Sequence, residues 1–245
     1  MLPEIPYLPG IYTVILIIAM GIIASIILDK RNRIIITAIS EVVLAISIIY
    51  LIDLPVNQSG YTIFDDFSRF ISLIFIFTSF LIIISMYREL SDVTRYGLAI
   101  SLILAANIGM IVAVSSLNLI YIIVGWELAG LSSYAVIAVR RKDPLAIEAA
   151  MKFFIVGSIG FGLTLFGISF IFGSTGSLDL NGIYAVLSTG IYDYNLLVTG
   201  IVLLISGLGF KMAIVPFHVW IPDTYEGAPY SITTFLAAAS KTMAL

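Results

Sequence analysis

The chain has 245 residues, 60% hydrophobic and only 11% charged, with a mean hydropathy of +1.12 and a net charge of −3. No water-soluble core needs that much apolar surface, so composition excludes a soluble enzyme and points to a polytopic membrane protein; a small net charge with basic residues in short loops excludes nucleic-acid binding. Cysteine is absent, which removes disulfides, thiolate metal sites and cysteine-ligated iron–sulfur clusters from this polypeptide.

From Met1 to Gly10 no basic residue precedes the first apolar run, and no small-residue cleavage site follows that run. The sequence therefore predicts a retained helix, not a signal peptide. About 20 apolar residues cross the hydrocarbon core of a bilayer. Runs of that kind lie at 11–28, 34–52, 68–87, 96–115, 117–139, 145–172, 195–222 and 230–245. They predict an all-α bundle of about eight membrane helices, or seven if the 195–245 region is re-entrant.

The basic residues sort by loop. Lys30, Arg31 and Arg33 fall in the first, Arg88 and Arg95 in the third, and Arg140, Arg141 and Lys142 in the fifth. The even loops carry acids instead: Asp53, Asp65, Asp66, Asp179 and Asp193. The positive-inside rule then places the N-terminus outside and the odd loops in the cytoplasm of a multi-pass plasma-membrane protein, with Arg69 the one exception. The eighth run stops at Leu245, short of the about 20 residues a span needs, which reads as a truncated or split product.

Four charges fall inside apolar runs: Glu127, Lys152, Lys211 and Lys241. A charge at the centre of a membrane helix costs roughly 2.5–3.5 kcal/mol on insertion scales, so ionisable groups at that depth are functional candidates by default. Glu127 lies near mid-membrane in Gly125-Trp-Glu127-Leu-Ala-Gly130, as a proton carrier or as an acid buried against a hydroxyl or lysine for packing. Lys152 follows Glu148 by four residues, so a helical ion pair or a snorkelling position competes with a functional role. Lys211 ends Gly207-Leu-Gly209-Phe-Lys211 and stands five residues before Pro216. Glycines and proline break the hydrogen-bond ladder, and a charge beside a broken membrane helix points to an ion path. Lys241 lies near mid-membrane in the eighth run, as a proton-exchanging lysine. His218 is the single histidine, which cannot build a metal site alone; a proton relay and a structural hydrogen bond stay open for it. Glu41 reads as a packing or supporting group. Gly157, Gly160 and Gly162 lie in a membrane helix, where small residues normally permit close helix contact.

Three segments carry a longer pattern: Glu148-Ala-Ala-Met-Lys152-Phe-Phe; Lys211-Met-Ala-Ile-Val-Pro216-Phe-His218-Val-Trp220-Ile-Pro222-Asp223-Thr-Tyr225-Glu226-Gly227-Ala228-Pro229; and Phe235-Leu-Ala-Ala-Ala-Ser240-Lys241. Together they resemble the proton-conducting, antiporter-like membrane subunits of respiratory complex I, NADH-quinone oxidoreductase, and most of all subunit N. The string Trp126-Glu127-Leu-Ala-Gly-Leu-Ser-Ser-Tyr134 is also similar to subunit L. The resemblance covers essentially the whole chain and implies the N-terminal half of a fold of about fourteen membrane helices with two inverted repeats and broken helices. Residues 1–95 would hold helices 1–3, and residues 96–245 the proton-conducting repeat, helices 4–8, with helix 7 broken.

By the same resemblance Glu127 is the acid of helix 5, Lys152 a lysine of helix 6, Lys211 the lysine of broken helix 7 and Lys241 the relay lysine of helix 8. Separating the Glu127–Lys211 pair would send the Lys211 proton towards Lys241, and re-pairing would reload it. The chain itself would hold no redox centre and no cofactor; quinone, flavin and iron–sulfur clusters would belong to partner subunits. The exit-side charge belongs to the family's second half, so this polypeptide alone would not pump. A subunit of a multi-subunit Na⁺/H⁺ antiporter or of a membrane-bound hydrogenase, or a non-functional fragment, are the competing readings. The electron donor stays open between NADH, a reduced deazaflavin and ferredoxin.

Overall fold

A computed structural model describes residues 10–29 and 32–244. Lys30 and Arg31, assigned to the first basic loop, lie outside the described residues. Among the described residues, seven helices are long and apolar enough to cross a membrane: α1 (Gly10–Ile27), α2 (Arg33–Asp53), α3 (Asp66–Glu89), α4 (Tyr96–Val114), α5 (Leu119–Ile137), α6 (Pro144–Thr175) and α8 (Tyr194–Met212). Between the last two, α7 (Leu180–Thr189) is a short helix with no buried residue, in a stretch where the hydropathy pattern predicts only a link.

The helix ends follow from local chemistry. Asp143 accepts the Leu145 N–H at 3.0 Å, Pro144 occupies the first turn, and Gly176 closes α6 in the left-handed conformation at φ 68°. A proline needs no donor at a helix start and a glycine bears a positive φ without strain, so both boundaries of α6 are set by single residues. At 32 residues α6 outruns the ~30 Å hydrocarbon core, which about 20 residues span. Asn32 and Asn118 cap α2 and α5 in the same manner, and Asp65 with Ser68 forms a capping box on α3.

Of the α4 span 67% is buried, against 28% for α1, α2, α6 and α8, so α4 is the central helix. Glycine lets α5 approach it: a Cβ placed on Gly125 would stand 2.7 Å from the Ala113 amide nitrogen, closer than any real side chain tolerates. The same device brings α8 onto α6, where a Cβ on Gly207 would stand 2.6 Å from the Gly160 carbonyl. Of the three glycines read from sequence as contact residues, Gly160 meets Phe210, Gly157 meets the Tyr134 hydroxyl end, and Gly162 faces open space.

The two ends of the bundle differ. At one, a hairpin of β1 (Asn57–Ser59) and β2 (Thr62–Phe64) bonds to the α4–α5 link through Ile63 N to Ser115 O (2.9 Å) and Leu117 N to Tyr61 O (2.8 Å). That link bonds in turn to the segment before α7, with Leu180 N donating to Leu117 O at 2.8 Å. The all-α reading therefore holds for the bundle, with a small β-bonded layer outside it satisfying the backbone of three links. Arg69 belongs to this end; it donates to Leu54 O and pairs with Asp66 at 3.0 Å, which accounts for its departure from the loop-charge pattern.

The opposite end collects the odd loops. Arg33 donates to the carbonyls of Leu90 and Val93 and lies 4.6 Å from the Tyr96 ring centroid. Arg140 donates to Glu89 O at 3.0 Å. The first, third and fifth loops are thus in direct contact, and the basic residues gather on one side as the sequence predicts.

The seventh apolar run is interrupted. Its helix α8 ends at Ala213, a non-glycine residue at φ 59°, and after a turn region the chain resumes as α9 (Ile221–Gly227). The eighth run begins as α10 (Tyr230–Phe235) and passes through one π-helical turn, Leu236–Ser240, immediately before Lys241. A π-turn is a rare insertion, and those that occur cluster at functional sites.

Candidate functional site

Lys211 occupies the last turn of α8, where the final carbonyls have no helical partner and the helix dipole is negative. That position favours a cation. The side chain is 6% exposed and its Nζ is buried without a hydrogen-bond partner. Trp126 and Tyr134 of α5, Phe153, Val156, Gly157 and Gly160 of α6, and Trp220 beyond the break enclose it. The ammonium lies 5.9 Å from the Phe153 ring centroid, against which Trp220 stacks at 4.4 Å. The void left inside this cage is about 10 Å³, at the lower bound for a single water.

The helix break builds the cage. Trp220 Nε1 donates to the Phe210 carbonyl at 2.9 Å, which also accepts the Ala213 N–H at 3.3 Å, and this second bond fixes the indole over Phe153. Without the break, Phe210 O would be bonded within a helix and Trp220 would lie about 15 Å along the axis.

Glu127 stands on α5 beside Trp126. It interacts electrostatically with both Lys211 and Tyr134, yet its Oε2 is buried without a hydrogen-bond partner. The acid and the lysine are therefore neighbours in each other's field but form no hydrogen bond. Lys211 is fully enclosed while Glu127 is half-buried, so the pair is separated and only partly desolvated.

Lys152 is different. It is half-exposed and clamped between Glu148 at 2.8 Å and Asp223 of α9 at 2.7 Å. Glu148 is the partner expected from sequence; Asp223, 71 residues away, is not. Lys241 lies with its Nζ 5.3 Å from the ring centroid of Tyr225, whose hydroxyl is buried without a hydrogen-bond partner. Trp220 meets Tyr225 edge-on at 6.4 Å, so a row of Phe153, Trp220 and Tyr225 runs between the two lysines. His218 is exposed in the break and lines none of this cage. Glu41 sits on α2 with both carboxyl oxygens buried and unpartnered, and α2 packs mainly against α1, α3 and α4. Sequence reasoning gave no role to Asp223, Phe153, Trp220, Tyr225 or Tyr134. The density of aromatics around Pro216 and Pro222 was the available signal.

A bundle of seven apolar helices with a buried lysine at a broken helix and an acid in its field is a multi-pass membrane protein with ionisable groups at depth. Residues 116–245 match the family described as NADH:quinone oxidoreductase/Mrp antiporter, transmembrane, and the chain belongs to that family. It is 35% identical over 98% of its length to NADH-quinone oxidoreductase subunit N of Nitrosomonas europaea, and 38% identical over 75% of its length to F(420)H(2) dehydrogenase subunit N of Methanosarcina mazei. Those alignments cover 51% and 38% of the two relatives, so the chain spans about half the length of the curated relatives it matches, or less. In structure it is similar to a chain of respiratory complex I from Thermus thermophilus with bound aureothin, at TM-score 0.80 and 27% identity, over 94% of this chain and 51% of that one.

Proposed function

We propose that this chain is the first half of a proton-translocating membrane subunit of an NADH-quinone oxidoreductase of the complex I type. Residues 96–245 form its conducting repeat and residues 1–95 its accessory helices. The observation that carries this reading is Lys211: a buried, unpartnered ammonium at a helix break, in the field of Glu127. The lysine holds the proton. Movement of Glu127 towards or away from it changes how firmly, and Lys241 beyond the aromatic row receives it. With a void of only about 10 Å³, the cage described above is a closed state, and water must enter before the proton leaves.

The energy comes from quinone reduction in partner subunits, which hold the quinone site, flavin and iron–sulfur clusters. The protein resides in the plasma membrane with its basic end in the cytoplasm, on the positive-inside argument. Lys152 holds α9 in place through Asp223, and His218, exposed in the break outside the cage, serves as a proton relay.

The test is Lys211→Ala in the full-length subunit within the assembled complex. Proton pumping in vesicles should fall at least tenfold with subunit composition unchanged, and unchanged pumping at normal assembly would overturn the proposal. The family description also covers Mrp antiporters, which favours a Na⁺/H⁺ antiporter subunit as the second reading. Flavin and iron–sulfur subunits co-purifying with the native protein select the first; their absence from an intact assembly selects the second.

A further inference from the structure

A cavity of about 620 Å³ opens at the basic end of the bundle, between the α3–α4 and α5–α6 loops and along the adjoining turns of α4 and α5. It is separate from the Lys211 cage and has two chemically distinct parts. Its rim carries Arg95, Arg140, Arg141 and Lys142 against only two acids, Asp92 and Asp143. Both acids are already engaged: Asp92 lies 3.8 Å from Arg140, and Asp143 caps α6 through the Leu145 N–H. Arg140 is engaged too, through the Glu89 carbonyl. Among the described residues, the charged heads of Arg95, Arg141 and Lys142 take no protein acceptor, and with four cations against two carboxylates the rim carries a net charge of +2. The inner wall is apolar, formed by Leu98 and Leu102 on α4 facing Ala135 and Val139 on α5. The small Ala135 leaves the space that a larger residue on α5 would fill.

We propose that this groove binds one anionic phospholipid, with its phosphate at Arg95, Arg141 and Lys142 and an acyl chain along Leu98, Leu102, Ala135 and Val139. The two-part lining is what distinguishes the ligand. A soluble phosphate has no use for the apolar wall, and a zwitterionic lipid brings a cation to a rim that already has a surplus of them. The position fits as well, since basic clusters at the ends of membrane helices attract anionic headgroups at about 1 kcal/mol per residue near the surface. The lipid would tie the α3–α4 and α5–α6 loops together, where Arg140 makes the direct ties among the described residues.

The experiment uses the full-length subunit in its assembled complex, in nanodiscs holding phosphatidylglycerol with a photoreactive acyl chain. Cross-links should map to peptides containing residues 98–102 and 135–139, and a phosphatidylcholine analogue should label them at least tenfold less. Arg141→Gln with Lys142→Gln, both exposed, should reduce labelling about thirtyfold, given the strength of such contacts. Ala135→Phe, which fills the groove and leaves the rim charges intact, should reduce it likewise. Equal labelling by phosphatidylcholine, or failure of either variant to reduce labelling, overturns the proposal. Competition by millimolar inorganic phosphate would mark a soluble-anion site, and a neighbouring subunit cross-linked there in place of lipid would mark a protein interface; each also overturns it.

Discussion

Lys211 and Lys152 are both lysines of membrane helices, and their surroundings give them opposite characters. Lys211 is enclosed by rings and glycines with no acceptor, whereas Lys152 is held by two carboxylates at a half-exposed site. Exposed ion pairs contribute little, so Lys152 is a tether and not a store of electrostatic energy. A double-mutant cycle of Lys152→Met and Asp223→Asn, read by stability in detergent, should give a coupling no larger than that of a surface ion pair. A coupling several times larger would show the bridge to be buried in the assembled protein. Lys152 was flagged from sequence because a charge in an apolar run is visible there. Its second partner was not, because Asp223 reaches it only after the chain has turned back past the break in α8.

At the scale of elements, the boundaries rest on a few caps. The Ser68 backbone N–H, 2.8 Å away, holds the Asp65 carboxyl below the usual carboxylate range; burial opposes this, and the Ser68 hydroxyl adds to it. A carboxyl lowered by folding stabilises above its unfolded pKa and stops doing so as the pH falls through its folded value. The contribution of Asp65 is therefore complete at neutral pH and disappears below about pH 4. Asp65→Ala should cost about 1 kcal/mol at neutral pH. Asp65→Asn should keep most of the cap and flatten the acid limb of the stability profile, measured by unfolding in mixed micelles between neutral and acid pH. Helix starts of this kind, Asp143-Pro144 above all, are legible in sequence because donor, acceptor and turn lie within four residues. The π-turn before Lys241 and the short helix α7 are not, since neither changes the hydropathy pattern that marks an apolar run or a link.

Across the bundle as a whole, the third loop joins α3 to α4 and lies against the start of α10. Glu89, the last residue of α3, accepts the backbone N–H groups of Tyr230 at 2.6 Å and Ser231 at 2.8 Å, and so caps α10 and the turn that carries Lys241. Hydrogen bonds to a charged group are worth about 1.5–3 kcal/mol, so Glu89→Ala should loosen α10 by an amount in that range. Proteolysis at the α9–α10 junction, compared between the variant and Glu89→Gln, measures this directly. Cleavage should rise most in the alanine variant and by less in glutamine, which keeps one of the two acceptors but not the charge.

Legible without the fold were the membrane class, the apolar runs, the loops that hold the basic residues and the charges that interrupt those runs. Each of these follows from hydropathy and charge, which are properties of a local stretch and add along the chain. What those charges meet emerges only from packing: rings for Lys211, two acids for Lys152 and a tyrosine face for Lys241, while His218 stays exposed. Those outcomes depend on where α8 breaks and on which faces of α5, α6 and α9 close around it, and the packing of distant segments is not additive in their composition.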